Sequence, residues 1–460
     1  MMRVLPSWRI VMVVALTLGY MVLGVTLGGG SLVLAYYSSQ SEDPYYHMLY
    51  LFFIVAGTVV VVGFLPGGSY AIPDGERVEP QEQRQFFGLV NGVASRTGQR
   101  MPDEIYLVFD HVNAFIFHSG GILRGKRILC VSLPLFHLLT VSQLQGIVAH
   151  EFGHLDRGNI RIGAWIHLIQ SGLRRTINML GPDRDPKSRV LRMVRLPFVL
   201  YSRLVLYMTV PMFRIQELAA DRLAAETVGS YTYGEALRIV HQNCQAFDAY
   251  VIDSFLPMLG RGYLPPVMEG YARYLEFTGR KYDEPARKPD DVHPPFAERL
   301  AAIADLPAIE AENNLPASSI LNNGAELQVR LLRTLLPEDG PKDFTPVSWY
   351  EAGQLVIIPD WKRRCSRERL ALRDVTLGSL RSTVAAADKF DLFAAAFGLA
   401  LYREGWQLDH EPGYLRLRRG DFKINPHDLV EEMRSPEFTE DAWREMLTKF
   451  GLDAGTLLTG

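Results

Sequence analysis

Residues 150–154 read His-Glu-Phe-Gly-His, residue types and a spacing that can hold a metal ion and activate water. Two histidines four residues apart project from the same side of an α-helix, because one turn takes 3.6 residues. His150 and His154 can therefore supply two ligands of a tetrahedral zinc site. Glu151 is placed to accept a proton from a zinc-bound water. The alternative is that two histidines share a helix face by chance.

A third protein ligand is needed, because a catalytic zinc takes three and keeps its fourth position open for water. The pattern from Arg214 to Asp221 is helical, so Glu217 and Asp221 lie one turn apart on one side. A Glu217 oxygen would complete a His₂Glu set, and Asp221 can accept the free N–H of a ligand histidine. The competing interpretation is a solvated acidic helix face.

The elements around the first motif can be read from pattern. Thr140 and Gln143 form a Thr-x-x-Gln capping box, which predicts a helix that begins at Thr140, carries the histidines and stops near Gly158. Helical spacing and apolar runs predict further elements before and after it. They are a helix over 80–95, strands over 105–109, 113–117 and 127–133, a loop over 280–295 and a helix over 296–303.

Two uncharged segments at the N-terminus predict a membrane anchor. Residues 10–37 and 47–70 are each long enough to cross a bilayer as a helix, and a cleavable signal peptide would be shorter. Arg3 and Arg9 precede the first segment, and the loop between the two carries acidic residues only. By the positive-inside rule, both ends of the hairpin and everything after residue 70 face the cytoplasm.

Two later apolar stretches, 160–180 and 190–213, leave their location open. They could form a second membrane hairpin, but each contains arginines, and a central arginine such as Arg203 costs about 2.5–3.5 kcal/mol in a bilayer. Amphipathic helices at the membrane surface or against the catalytic domain are the slightly favoured interpretation.

Composition excludes some classes of protein. The chain has 460 residues and a net charge of −3, which argues against a nucleic-acid-binding surface. Its three cysteines are far apart and form neither a metal-binding pair nor a disulfide framework. After residue 315 the pattern changes to short strands and helices, which predicts a separate small α/β domain without metal-ligand spacing.

Together, the segments around His150–His154 and Glu217–Asp221 resemble the HtpX and CAAX-prenyl-protease family of membrane-associated zinc metallopeptidases. The family pairs HExxH with a later ExxxD that has alanine before the aspartate, as Ala220 stands here. Phe213 departs from the serine that relatives often have, at a position that is no ligand. Two further segments match as well: Asn113-Ala114-Phe115 resembles the family's edge-strand motif, and His293-Pro294-Pro295 with Glu298-Arg299 resembles its HPxxxER segment.

The resemblance implies roles for these positions. His150, His154 and Glu217 would bind one zinc ion per chain, Glu151 would act as general base, and Asp221 would orient a ligand. His293 would stabilise the oxyanion or cover the open zinc position. The alternative is a structural role, in which this loop histidine caps the next helix. Asn113, Ala114 and Phe115 would offer main-chain groups to an extended substrate.

The expected fold is α+β, with three parts. They are a transmembrane helical hairpin (1–70), a mainly helical zincin-type metallopeptidase domain with a small edge-exposed sheet (71–310), and a C-terminal α/β domain of unknown role (311–460). The expected protein is a membrane-anchored zinc endopeptidase in protein quality control, acting on misfolded or membrane proteins, with a location in a bacterial-type inner membrane. The alternatives are a processing protease for one membrane or lipid-modified substrate, or a non-catalytic scaffold that acts through the C-terminal domain. Oligomeric state is left open.

Overall fold

A computed structural model describes residues 7–64, 74–109, 111–119, 125–155, 159–180, 189–279, 291, 293–309, 311–386 and 389–458. The chain forms two compact units. The N-terminal unit consists of Met1–His241 and Glu284–Leu331, and the C-terminal unit consists of Gln242–Asp283 and Leu332–Gly460. Residues 242–283, which the sequence interpretation placed in the metallopeptidase domain, thus belong to the C-terminal unit. The three-part division at residues 70 and 310 stays a prediction.

Long apolar helices begin the N-terminal unit. Helices α1 (Ser7–Gly24) and α2 (Gly30–Ser39) are joined by a π-helical turn, and α3 (Pro44–Phe64) follows. The helical character predicted for residues 10–37 is confirmed, and the predicted second segment is helical to Phe64, beyond which it leaves the described residues. Three helical segments of the described residues are long and apolar enough to cross a membrane. They are Val14–Ser39, Pro44–Gly63 and Arg192–Val228.

Helices α7 (Asn159–Met179) and α8 (Arg189–Val228) share one buried apolar cluster with α1 and α3. The second apolar stretch and the helical segment around Glu217, which the sequence suggested separately, are one continuous helix of 40 residues. Close approaches hold the bundle together, because small residues on one helix admit large side chains from another. Gly19 lies against the Tyr201 side chain of α8, and Gly172 of α7 lies against Tyr20.

A four-stranded sheet lies in the same unit, with strand order β1-β2-β4-β3. The β2–β4 pairing is parallel, and the two outer pairings are antiparallel. Strand β3 lies at the edge and packs on the helix that carries the histidines. The three strands predicted from sequence are confirmed to within a residue or two, except that Asn113 precedes its strand. The strands are β1 (Gly75–Val78), β2 (Glu104–Val108), β3 (Ala114–Ser119) and β4 (Lys126–Ser132).

Helix α6 (Val141–Gly153) carries the HExxH motif and begins as predicted. The Thr140 hydroxyl accepts a hydrogen bond from the Gln143 N–H at 3.3 Å, and the Gln143 side chain accepts one from the Thr140 N–H at 2.9 Å. This reciprocal cap satisfies two backbone donors at the helix start. The predicted stop at Gly158 lies outside the described residues.

Helices α6 and α8 cross closely at Gly153. A methyl group built on Gly153 would lie 2.7 Å from Cα and 2.8 Å from Cβ of Ala220. Only glycine allows the two backbones to approach this far, and Ala220, itself fully buried, keeps the other side small. The crossing therefore aligns the turn of His150 and His154 with the turn of Glu217 and Asp221.

The remaining helices of the N-terminal unit surround the sheet and α6. The helices predicted over 80–95 and 296–303 are confirmed with shifted ends. The bounds are α4 (Arg84–Thr97), α5 (Leu133–Leu138), α9 (Ser230–Tyr250), α12 (Phe296–Ala301) and α13 (Gly324–Arg333), of which α9 and α13 extend past the unit boundary.

The C-terminal unit packs helices on a three-stranded antiparallel sheet, β7-β8-β9. Its core centres on α17, in which ten consecutive residues from Leu392 to Leu401 are buried. The alanines of this helix let neighbouring helices approach it closely, and aromatic residues fill the gaps. The elements are α10 (Leu256–Leu259), β5 (Tyr263–Leu264), α11 (Val267–Thr278), β6 (Thr345–Pro346), α14 (Trp349–Ala352), α15 (Ile358–Arg367), α16 (Leu380–Ala386), α17 (Phe390–Arg403), β7 (Gln407–Glu411), β8 (Tyr414–Arg419), β9 (Phe422–Ile424), α18 (Pro426–Glu432) and α19 (Glu440–Phe450).

Gly153→Ala tests the crossing of α6 and α8. The added methyl group meets the backbone of Ala220, so we expect a loss of about 1–3 kcal/mol in the free energy of unfolding. The measurement is thermal unfolding of the full chain in detergent. Gly92→Ala on α4 is the matched control, because nothing lies within 4 Å of its new methyl group. There the better helix propensity of alanine should stabilise the protein by up to about 1 kcal/mol. Equal shifts in both variants would contradict the close crossing.

Candidate metal centre

His150 of α6 and His154, the C-cap residue of this helix, converge on one point. The Nε2 atoms of His150 and His154 lie 3.2 Å apart, and the two rings meet edge to face. His150 is 8% exposed, and Glu151, the next residue in the sequence, is also buried. Ligand atoms of His150, Glu151 and His154 all lie within 4.8 Å of one another. The predicted arrangement on one helix face is therefore present.

Helix α8 brings Glu217 to the same point. Its carboxylate oxygens lie 3.6 Å from His150 Nε2 and 3.5 Å from His154 Nε2. Glu217 is 63 positions from His154 in sequence. The crossing of α6 and α8 at Gly153 and Ala220 brings the two residues close together in space. The solvated acidic face that competed with this interpretation is wrong, since Glu217 and Asp221 are both buried.

These three donors fit a tetrahedral zinc ion. Zinc–ligand bonds of 2.0–2.1 Å place two ligands of a tetrahedron about 3.3 Å apart. The separations between the two Nε2 atoms, and from each of them to one of the two Glu217 oxygens, run from 3.2 to 3.6 Å, close to that edge length. Two imidazole nitrogens and one carboxylate are also a donor set that zinc prefers in catalytic sites. The residues present therefore fit zinc, with one coordination position left for water or substrate.

A buried network behind His150 fixes its orientation. Asp221 Oδ1 lies 3.0 Å from His150 Nδ1, so the predicted contact with a ligand histidine is made. The Tyr233 hydroxyl donates to the same oxygen at 2.6 Å and lies 3.0 Å from His150 Nδ1. Because Tyr233 gives its only proton to Asp221, the proton between the hydroxyl and the ring belongs to His150 Nδ1. That tautomer leaves the Nε2 lone pair for a metal.

Arg299 neutralises the buried Asp221 carboxylate. Its Nε and a terminal nitrogen donate to the two Asp221 oxygens at 2.9 and 2.6 Å, a bidentate pair. Asp221 is fully buried, and an unpaired carboxylate there would be strongly unfavourable. The sequence interpretation quoted Arg299 only as part of a matching segment and did not find Tyr233. A tyrosine 12 residues after Asp221 carries no local signal of its contact with the site.

Burial shapes the charge state of the cluster. Burial raises the pKa of Glu151 to about 7, which brings this carboxyl into the range of a general base at neutral pH. Burial lowers the pKa of His154 to about 4. His154 is therefore neutral at pH 7, the form in which imidazole binds metal.

His293 also reaches the cluster. Its Nδ1 lies 3.1 Å from a Glu217 oxygen, and this hydrogen bond, against the effect of burial, raises the pKa of His293. The Arg214 guanidinium of α8 donates to the Asp291 carbonyl at 2.8 Å and ties down the segment just before His293. The alternative, a loop histidine that caps the next helix, lacks a cap contact, because Pro295 stands at the N-cap of α12 and no side chain caps it.

The predicted substrate segment lies on the edge strand beside α6. Ala114 and Phe115 belong to β3, whereas Asn113 precedes the strand and caps it. The side-chain oxygen of Asn113 accepts a hydrogen bond from the Ala114 N–H at 2.9 Å. The main-chain carbonyl of Asn113 accepts one from the Ser132 N–H at 3.0 Å. These groups of Asn113 and Ala114 are thus already used within the fold.

Comparison with known proteins points to one family. Residues 80–306 match peptidase family M48. Protease HtpX homolog 1 of Sulfurisphaera tokodaii is 37% identical over 95 residues, which cover 20% of this chain and 29% of the relative. Protease HtpX homolog 1 of Streptomyces coelicolor is 25% identical over 226 residues, 44% of this chain and 73% of the relative. A protease HtpX homolog of Gemmatimonas aurantiaca is 23% identical over 237 residues, 50% and 78% of the two chains. The chain thus spans under a third of the first relative and about three quarters of the other two.

Tyr233→Phe tests the network behind the metal ligands. Loss of the hydroxyl removes one of the two contacts of His150 Nδ1 and leaves Asp221 with one partner fewer, so zinc affinity should fall about 10- to 100-fold. Competition with a chromophoric chelator measures the affinity. Tyr231→Phe, on the same helix but 67% exposed, is the control and should bind zinc as the unaltered chain does. Equal zinc affinity in the two variants would show that Tyr233 does not position His150.

Proposed function

We propose that this chain, which belongs to peptidase family M48 through residues 80–306, is a membrane-anchored zinc endopeptidase of the HtpX type. The observation that carries the proposal is the convergence of His150, His154 and Glu217 at tetrahedral spacing, with Glu151 adjacent. A non-catalytic scaffold would not need a buried base beside three metal donors.

Each residue of the cluster has a role in this proposal. His150, His154 and Glu217 hold the ion, while Asp221, Tyr233 and Arg299 hold His150. A zinc ion at this place would lower the pKa of a water molecule toward about 7 and polarise a substrate carbonyl.

Glu151 supplies the proton transfers. Its buried carboxylate accepts a proton as water attacks the peptide carbonyl, and then passes that proton to the leaving amine. His293 provides a further donor next to Glu217, where it can stabilise the developing oxyanion or cover the open position before substrate binds. Its partial exposure leaves it accessible to substrate.

Strand β3 would bind the substrate by adding a strand to the sheet. In an antiparallel pair, main-chain groups alternate between the partner strand and the other side. The main-chain carbonyl of Asn113 points toward β4. The main-chain groups of Phe115 and Phe117, two and four residues later, therefore point toward β4 as well. The main-chain groups of Ile116 and His118 then point to the edge, where no described strand pairs. The substrate contacts thus shift from the predicted Asn113–Phe115 toward Ile116 and His118.

Helices α1 to α3 would anchor the chain in a bilayer. They expose large apolar side chains on their outer surface, which water does not favour but lipid does. Helix α8 adds an exposed stripe at helical spacing, made of Met193, Leu196, Leu200, Leu204 and Tyr207. Arg203 lies exposed beside this stripe, and its long side chain can reach the headgroups from there.

The biological role follows from recognition through the backbone. Main-chain pairing at an edge strand selects for extended, unfolded segments and hardly for sequence. Such selectivity suits quality control of misfolded or membrane proteins. With the charge bias of the hairpin flanks, we place the metal centre on the cytoplasmic side of a bacterial-type inner membrane.

Glu151→Gln tests the mechanism, with Glu217→Gln as its counterpart. Without the general base, casein cleavage should fall about 10²- to 10⁴-fold while zinc stays stoichiometric. Glu217→Gln should lose both, because it removes a charged ligand. Elemental analysis and a casein assay on the detergent-solubilised chain measure the two properties. Glu226→Gln, an exposed residue of α8, is the control with both retained. Undiminished cleavage by Glu151→Gln would disprove the proposal.

Ile116→Pro tests the substrate strand. Proline removes the outward N–H but is tolerated where the N–H of an edge strand faces away from the ladder. We expect kcat/KM for an extended peptide to fall at least about tenfold, with zinc content unchanged. Ile116→Val, which keeps the N–H, should cleave at the original rate. Unchanged kcat/KM in the proline variant would rule out pairing at this edge.

A further inference from the structure

A dense basic segment lies in the C-terminal unit. Residues 361–373 contain six basic side chains and one acidic one, a local charge of +5 in a chain whose net charge is −3. Most of this segment is α15, whose Ile358 and Trp361 are buried in the core of the unit. With that side of the helix fixed inward, the basic side chains are held at the surface.

The fold adds another arginine from a distant part of the chain. Arg261, in the turn after α10, joins Arg363, Arg364 and Arg367 of α15 around a depression of about 300 Å³. Asp360 and Glu368 complete its lining. We name these six residues the arginine pocket. All of them belong to the C-terminal unit, and none belongs to the unit that carries the metal centre.

The ion pairs within the pocket leave part of its positive charge uncompensated. Asp360 pairs with Arg261 at 2.9 Å and also with Arg363, which holds these two guanidinium groups side by side. Arg364 pairs with Asp391 at 2.8 Å. Arg367 makes no ion pair with any residue that the structure describes. Four arginines against two carboxylates leave the lining with a charge of +2.

The chemistry of the lining selects the class of ligand. Guanidinium groups donate paired hydrogen bonds in a fork that matches phosphate oxygens, and several together favour a multiply charged anion. The lining holds no aromatic side chain that could stack on a nucleobase and no aliphatic residue that could hold an acyl chain. The volume is that of about ten water molecules, enough for one or two phosphate groups.

We propose that the arginine pocket is a binding site for a phosphate-bearing anion. A soluble diphosphate and the headgroup of an anionic phospholipid share this chemistry, and both are present beside a membrane-anchored chain. In either case the anion takes the positions between Arg261, Arg363 and Arg367, with Asp360 keeping the guanidinium groups in place.

The test is isothermal titration of the full chain in neutral detergent with two probes. One is sodium pyrophosphate, and the other is dihexanoyl phosphatidic acid below its micelle concentration. We expect saturable binding of at least one probe and a loss of at least about tenfold in the double variant R363Q/R367Q. The control variant R418Q/K423Q removes the same number of positive charges from exposed, paired positions of β8 and β9 in the same unit. It should bind within about twofold of the unaltered chain.

The two probes separate the two sources of the ligand. Binding of pyrophosphate alone assigns the site to a soluble anion, and binding of the lipid alone assigns it to a headgroup; both results support a phosphate site. Lack of saturable binding of either probe at millimolar concentration would overturn the proposal. Equal losses in R363Q/R367Q and R418Q/K423Q would overturn it too, because they would reflect net charge and no defined pocket. Thermal unfolding of each variant checks that it is folded.

Discussion

The close approach of α6 and α8 at Gly153 and Ala220 is the constraint on which the proposed metal centre depends. Two helices with ordinary side chains at their crossing lie 8–10 Å apart. Here one side of the crossing has no side chain and the other has a single methyl group. The shorter separation lets a carboxylate on α8 reach the same point as two imidazoles on α6, within 3.6 Å of each. A larger side chain at either position would move the two helices apart, and Glu217 would then no longer reach the point where His150 and His154 meet.

The same crossing creates a cost that the rest of the site offsets. It buries Glu151, Glu217 and Asp221, and a carboxylate without partners is expensive away from water. Asp221 is satisfied by Arg299 and Tyr233, and Glu217 by the histidines around it. Burial acts to raise the pKa of all three carboxyls, but only for Glu151 is the resulting pKa raised, so the packing that assembles the proposed ligands also suits the proposed base.

Helix α8 links the metal centre to the apolar bundle. An α-helix of 40 residues is about 60 Å long, roughly twice the thickness of a bilayer's hydrocarbon core. Its first half packs on α7 and contacts Gly19 of α1 through Tyr201, and its second half carries Glu217 and Asp221. One helix thus carries both the residues that pack in the apolar bundle and the proposed ligand Glu217. The arginine pocket belongs to the C-terminal unit, and of its residues only Arg261 falls within the M48 match.

The sequence by itself determined the features whose cause is local. Thr140 and Gln143 are three residues apart, so their reciprocal cap and the helix with both histidines follow from pattern alone. The strands followed from apolar runs in the same way, and the family followed from motif order. Only the tertiary structure decided which distant groups meet. Tyr233 behind His150, the outward groups of Ile116 and the meeting of Arg261 with Arg363 depend on helix crossings and strand register. Those are set by packing across the whole chain, because no residue's own neighbours in sequence specify them.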